Sequence, residues 1–178
     1  MSDSHTFGRY IVEKMLATGG QGDVYLARDP NLKDRPVVIK APRVERLTVA
    51  GLERFKKEAG AVARLEHCQT VVPLYDYDEE GGRPYLVMRH MRGGTLDDRL
   101  NDGPLSIDAA VPIIRRLAEA LDCAHANDII HRDVKPANVL FDDGHNAFLS
   151  DFGIATTAEG ENGDEETKIK LTALGASP

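Results

Sequence analysis

The chain has 178 residues, 42% of them hydrophobic, with 22 basic against 29 acidic side chains and a formal net charge of −7. This is enough to bury a core in one domain or a small two-lobed one, while the acidic balance excludes a general nucleic-acid or anionic-membrane binder, since both need a cationic surface. No signal peptide and no apolar run of bilayer-spanning length is recognisable, so the expected location is cytoplasmic, either free or as the cytosolic part of a longer membrane-anchored protein.

After a polar start, Tyr10 to Leu16 and Val24 to Ala27 flank Ala17-Thr18-Gly19-Gly20-Gln21-Gly22-Asp23. Two apolar segments around a glycine-rich turn predict a β-hairpin. A dinucleotide fold would place a helix directly after the glycines, whereas Val24-Tyr25-Leu26-Ala27 is strand-like, and there is no G-x-x-x-x-G-K-[ST] phosphate loop. A third strand is expected at Pro36 to Ala41, with Val38 and Lys40 on one face. Leu52 to Leu65 has helical spacing of Phe55, Glu58, Val62 and Leu65. Glu58 therefore lies on an apolar stripe, where an unpaired carboxylate is costly, and Lys40 is the candidate cation for it.

Val71 to Tyr77 and Arg83 to Met88 read as two more strands around the acidic turn Asp78-Glu79-Glu80-Gly81-Gly82. Arg89 to Gly94 reads as a connector. Thr95 caps a short helix to Leu100, and a longer helix runs to about Asn127, with Pro112 either in its first turn or at a kink. The two cysteines, Cys68 and Cys123, are far apart and outside metal-ligand spacing; they read as reduced, partly buried thiols.

The polar groups with most chemical content follow that helix: His131-Arg132-Asp133-Val134-Lys135-Pro136-Ala137-Asn138, then Asp151-Phe152-Gly153. Two acids, an amide and a lysine gathered on one loop outline a phosphate and metal site. Between them, Val139 to Phe141 and Ala147 to Leu149 form a second hairpin around Asp142 to Asn146. From Thr156 the composition is polar, with an acidic run from Glu159 to Glu166 that reads as a mobile, solvated loop. Strands first and helices afterwards predict an α+β protein of two unequal lobes.

Together, the glycine-rich hairpin, Val37-Val38-Ile39-Lys40, Glu58, His131-Arg132-Asp133 through Asn138, and Asp151-Phe152-Gly153 resemble the eukaryotic-type (Hanks-type) protein kinase family in its bacterial serine/threonine branch. The resemblance extends from about residue 7 over the rest of the chain. It implies a two-lobed fold: residues 1–88 as an N-lobe with a five-stranded antiparallel sheet and one helix, 89–94 as a hinge, and 95–178 as a partial, mainly helical C-lobe.

The same resemblance implies ATP and Mg2+ as cofactors and Ser/Thr hydroxyls of proteins as acceptors. Asp133 is implied as catalytic base and Lys135 as the residue that steadies the transferring phosphoryl group, with Asn138 and Asp151 as magnesium ligands. Ala17, Gly19, Gly20 and Gly22 would cover the phosphates. Lys40, oriented by Glu58, would hold them. Val24, Val38 and Leu140 would sandwich the adenine, Met88 control access behind it, and the backbone from Arg89 to Met91 meet its edge. His131 and Phe152 are implied as packing residues with Val62 and Leu74, and Arg132 as a clamp for a phosphate on Thr156, Thr157, Thr167, Thr172 or Ser177. Among partners, a protein substrate and ATP are implied, with no nucleic acid or membrane contact in this segment and with dimerisation as one expectation.

Three positions depart from the family pattern. Ala17 replaces the usual first glycine and Val38 the usual alanine, changes expected to alter nucleotide affinity rather than abolish it. The sequence given stops at Pro178, before the A-P-E motif and the later large-lobe helices. Ile114, Leu117 and Leu121 are accordingly expected to be partly exposed. The alternative to an active kinase is a non-catalytic, pseudokinase-like module that binds nucleotide.

Overall fold

Six antiparallel strands in the order β1-β2-β3-β4-β6-β5 form the first half of the computed structural model, which describes residues 5–19, 22–43, 48–152 and 156–157. They are β1 (Thr6–Phe7), β2 (Tyr10–Gly19), β3 (Gly22–Asp29), β4 (Arg35–Ala41), β5 (Leu74–Glu80) and β6 (Arg83–Arg89). The five expected strands are present, and the sheet has a sixth that the sequence reading lacked. That strand, β1, is two residues long, too short for alternation to reveal it. Phe7 anchors it, stacking 5.4 Å from Tyr25 and 5.2 Å from Tyr85 between ring centroids.

Strand registers sort the sheet into two faces. Ile39 lies opposite Tyr25 and Val87, and Val37 opposite Ala27, giving an outer core with Phe7, Tyr10 and Tyr85. Val38 lies opposite Leu26 and Met88, and Lys40 opposite Val24 and Leu86. Cross-strand partners share a face. This second face therefore carries Val24, Val38, Lys40 and Met88 together, and its Leu86 packs on Phe55 and Ala59 of helix α1.

Helix α1 (Val49–Arg64) starts three residues before the expected Leu52, because the Thr48 hydroxyl caps it by accepting from Gly51 N at 3.1 Å. Strand β5 starts later than expected, at Leu74, and keeps Asp78 to Glu80 within the strand, so the turn itself is only Gly81-Gly82. Val71 instead makes an isolated bridge to Leu149.

The second half is mainly helical. Thr95 and Asp98 form a reciprocal capping box on α2 (Leu96–Asn101). Ser106 caps α3 (Ile107–His125), so Pro112 lies inside the helix; the lost donor falls on its exposed side, where water can serve the Asp108 carbonyl. Ile107, Val111 and Ile114 are exposed on α3 and Leu117 and Leu121 are half-buried against the core, so the partial exposure expected of Ile114, Leu117 and Leu121 is present.

After α3 come β7 (Ile129–Ile130), the hairpin β8 (Val139–Phe141) and β9 (Ala147–Leu149), and β10 (Thr156–Thr157), paired with β7. Val72 N donates to Leu149 O at 2.9 Å and Leu149 N to Thr70 O at 2.8 Å, tying the hairpin to the segment after α1. Gly93 lies so close to β8 that a Cβ there would stand 2.7 Å from the Phe141 Cβ, which requires glycine.

The expectation of reduced thiols is overturned. Cys68, just after α1, and Cys123, in α3, are joined as a disulfide with Cα atoms 6.1 Å apart. Their separation of 55 residues gave no local sign of it, because only the folding of α3 onto the post-α1 segment brings them together.

Candidate active site

Lys40 reaches from β4 toward α1, where Glu58 sits in the buried stripe with Phe55, Ala59 and Val62. Its Nζ donates to Glu58 Oε1 at 2.5 Å and also to Asp151 Oδ1. The Lys40–Glu58 pairing expected from the sequence is present, and both residues are almost wholly buried. The contact to Asp151, 111 residues away, was not foreseen. Burial alone would pull the Lys40 ammonium down, but the two carboxylates outweigh it and hold its pKa above the ordinary value. Burial pushes the Glu58 carboxyl up, with the Lys40 charge pulling the other way.

The loop from His131 to Asn138 is built on buried His131. Its Nε2 lies 2.8 Å from Ser150 O, which can only accept, so Nε2 carries the proton. Nδ1 then accepts the Asp133 backbone N–H at 3.2 Å. Burial lowers the His131 pKa, which keeps this neutral tautomer in place. The ring also stacks on Phe152, with centroids 4.5 Å apart. Phe152 belongs to the same core cluster as Val62, and Leu74 packs against that cluster, as the packing assignment required.

Beyond His131 the polar side chains close on one another. Lys135 Nζ donates to Asp133 Oδ2 at 2.7 Å, while Asn138 Nδ2 donates to the same oxygen at 3.1 Å and to Asp133 O at 2.8 Å. The Lys135 hydrogen bond is the main reason the Asp133 carboxyl lies below the usual carboxylate range; the Asn138 bond adds to it. A short 3-10 turn, Pro136–Asn138, delivers buried Asn138 to the start of β8. Ser150 donates from N at 2.9 Å and from Oγ at 3.0 Å to Asn138 O, fixing Asp151 beside that loop. Arg132 and Asp151 both have left-handed backbone, with φ of 60° and 68°.

The apolar residues expected around a nucleotide gather nearby. Val24, Val38 and Met88 share the Lys40 face of the sheet, and Met88 and Leu140 pack against a cluster of Val72, Met91 and Phe148. The Arg89 amide is committed to Pro73 O at 3.0 Å, so it is the Arg89 carbonyl, not its N–H, that suits a ligand edge. Ala17 lies opposite Val24 and Gly19 opposite Gly22 in the β2–β3 hairpin. Gly22 has φ of +136° and a Cβ there would stand 2.4 Å from Ala41 O, so it accepts no other residue. Gly20, Gly153, Thr167, Thr172, Ser177 and the acidic run fall outside the described residues.

These residues fit a magnesium–nucleotide ligand. With Asn138 Nδ2 engaged by Asp133, the atom Asn138 can offer is its carbonyl oxygen; with the Asp151 carboxylate beside it, that makes a set of hard oxygen donors. Three acids, Glu58, Asp133 and Asp151, stand against two lysines, Lys40 and Lys135. The excess negative charge suits a cation, and Lys40 suits a phosphate oxygen.

Residues 10–174 match the protein kinase domain family. The chain is 40% identical over 173 residues to the serine/threonine-protein kinase PknH of Mycobacterium tuberculosis, covering 96% of this chain and 26% of that protein. It is 38% identical over 175 residues to the serine/threonine-protein kinase PknL of the same species, covering 96% and 43%. It is 39% identical over 151 residues to the serine/threonine-protein kinase PrkC of Bacillus subtilis, covering 84% and 23%. The chain thus spans less than half the length of these curated relatives. No helix among the described residues is long and apolar enough to cross a membrane.

Proposed function

The chain belongs to the protein kinase family, and on that premise we propose that it transfers the γ-phosphoryl group of ATP to Ser or Thr hydroxyls of proteins. One observation carries this reading: Lys40 from the sheet, Glu58 from α1 and Asp151 from the end of β9 converge beside the Asp133–Lys135–Asn138 cluster. Residues 89–94 carry the chain from one lobe to the other, and the site lies between the lobes.

When bound, ATP supplies the phosphoryl group and magnesium the positive charge along its phosphates. Lys40, oriented by Glu58, would hold the phosphates nearer the nucleoside. Asn138 and Asp151 would provide the oxygen ligands for the metal. Val24, Val38 and Leu140 would enclose the adenine, with Met88 controlling access to it and the Arg89 carbonyl and Met91 amide available to its edge. Asp133 remains ionised at neutral pH, because its carboxyl is held below the ordinary carboxylate range. It would orient the acceptor hydroxyl and take its proton, while Lys135, hydrogen-bonded to that carboxylate, would steady the transferring group.

Phosphoryl transfer depends on positioning and charge more than on covalent chemistry. Lys40→Ala and Asp133→Asn should therefore each reduce phosphate incorporation from γ-labelled ATP into the protein itself or a generic protein acceptor by at least about 100-fold. Labelling that persists in both variants overturns the reading. Magnesium-dependent nucleotide binding with no transfer under any condition favours a non-catalytic binding module, and label on a metabolite instead of on protein favours a small-molecule kinase.

A further inference from the structure

Past the C-terminal end of α1, three soft or borderline ligand atoms converge. Cys68 follows α1, Cys123 lies in the last third of α3, and His67 precedes Cys68. His67 Nε2 is 3.9 Å from Cys68 Sγ and 3.7 Å from Cys123 Sγ. A disulfide needs no third donor, yet here an imidazole nitrogen stands almost equidistant from both sulfurs.

The state of that nitrogen is fixed by its neighbour. Asn127 Nδ2 donates to Cys123 O at 2.8 Å and lies 3.4 Å from His67 Nε2. An amide NH2 can only donate, so Nε2 is the acceptor; its one lone pair, which takes the Asn127 hydrogen bond in the disulfide form, is the pair a metal would take in its place. That is the tautomer in which imidazole ligates a metal.

The spacing also agrees with a metal of zinc's size. Zn–S bonds of about 2.3 Å and Zn–N bonds of about 2.0 Å in a tetrahedron place S and N about 3.5 Å apart and the two sulfurs about 3.8 Å apart. The His67 distances are already within a few tenths of an ångström of this. Only the two sulfurs must separate, which reduction of their bond permits.

We propose that the reduced form of this cluster is a binding site for a zinc-class divalent cation, with His67 Nε2, Cys68 Sγ and Cys123 Sγ as ligands and water in a fourth, open position. The disulfide and the metal exclude each other. A dithiol reductant transfers two electrons and two protons, converting Cys68–Cys123 to two thiols and itself to a disulfide. Binding of the cation then releases both thiol protons to solvent as two metal–thiolate bonds form. His67 is exposed and Cys123 partly so, giving the ion an entry path, while buried Cys68 anchors the site. In either state the end of α1, the helix carrying Glu58, is clipped to α3. The proposal is independent of phosphoryl transfer and stands or falls separately from it.

The test uses the whole protein reduced under argon with a phosphine, which takes up oxygen from water as it opens the disulfide and holds metals less tightly than a dithiol does. Titration with Co2+ should give one thiolate-ligated ion per chain, with near-ultraviolet thiolate-to-cobalt charge transfer and the intense visible bands of tetrahedral cobalt, both bleached by Zn2+. The disulfide form should show none of these bands. His67→Ala changes an exposed position, keeps both thiols and should weaken cobalt binding by at least about 10-fold with altered visible bands; Cys123→Ser should remove most of the charge-transfer intensity. His125→Ala, at the end of α3 and outside the cluster, should change nothing. Absence of a thiolate band in the reduced protein, equal binding by the disulfide form, or unaltered binding in His67→Ala overturns the proposal.

Discussion

Two lysine–carboxylate clusters stand side by side in this protein and differ mainly in their access to water. Lys40 and Glu58 meet at 2.5 Å with side chains 6% and 7% exposed, whereas Lys135 and Asp133 meet at 2.7 Å with side chains 49% and 22% exposed. Nearly equal distances therefore have unequal consequences. In the buried cluster, removing one partner leaves a charge that water cannot reach, so integrity of the fold and position of the lysine are coupled. In the open cluster, solvent compensates for a lost partner, so the fold is little affected.

The sharpest way to break this contrast is Glu58→Ala. It leaves Lys40 buried with Asp151 alone, and a loss of about 3–5 kcal/mol in urea-unfolding stability is expected; a loss below about 1 kcal/mol would place the pair effectively in water.

His131, at the boundary between the clusters, should show an intermediate effect. His131→Phe keeps a ring against Phe152 but removes the partners of Ser150 O and Asp133 N, at a cost of about 1–3 kcal/mol. Wild-type stability should also carry a histidine-dependent pH term. Folding keeps His131 below the ordinary histidine pKa of about 6.5. As the pH falls through that value, the unfolded chain takes up the proton first. The contribution is thus fully present above about pH 6.5 and is lost progressively below it. A stability–pH curve recorded for wild type and His131→Phe should differ in slope only on that acid side.

The smallest effect on stability belongs to Lys135→Ala, about 0–1 kcal/mol by the same unfolding measurement. Phosphate incorporation should nevertheless fall by at least about 10-fold, since the transferring phosphoryl group loses the cation proposed to steady it. A thermal melt and a transfer assay on one preparation of this variant would show the two properties separating.

The parts of this molecule legible in the sequence are those written in local pattern. The apolar run Val37-Val38-Ile39 leading into Lys40, the helical spacing of Phe55, Glu58 and Val62, and the turn between β8 and β9 each predicted their element, and the first two predicted the Lys40–Glu58 contact as well. What escaped depended on long-range packing. Strand β1 is defined by aromatic contacts to Tyr25 and Tyr85 and not by its own two residues. The Cys68–Cys123 bond and the Lys40–Asp151 contact each join segments that are remote in sequence. The tautomer of His131 had a faint signal, a histidine two residues before an aspartate, but only the position of Ser150 O reveals which nitrogen holds the proton.

The left-handed backbone at Arg132 and Asp151 has a bearing on how this chain can be evolved or engineered. For an L-residue that conformation costs about 1–2 kcal/mol, which glycine escapes. A library screened for heat tolerance alone therefore feels a backbone pull toward glycine at Asp151, which belongs to the candidate site, and at Arg132, next to Asp133. Variants enriched by such a screen would be sturdier and silent, so a selection at these positions needs to score phosphate transfer and survival together.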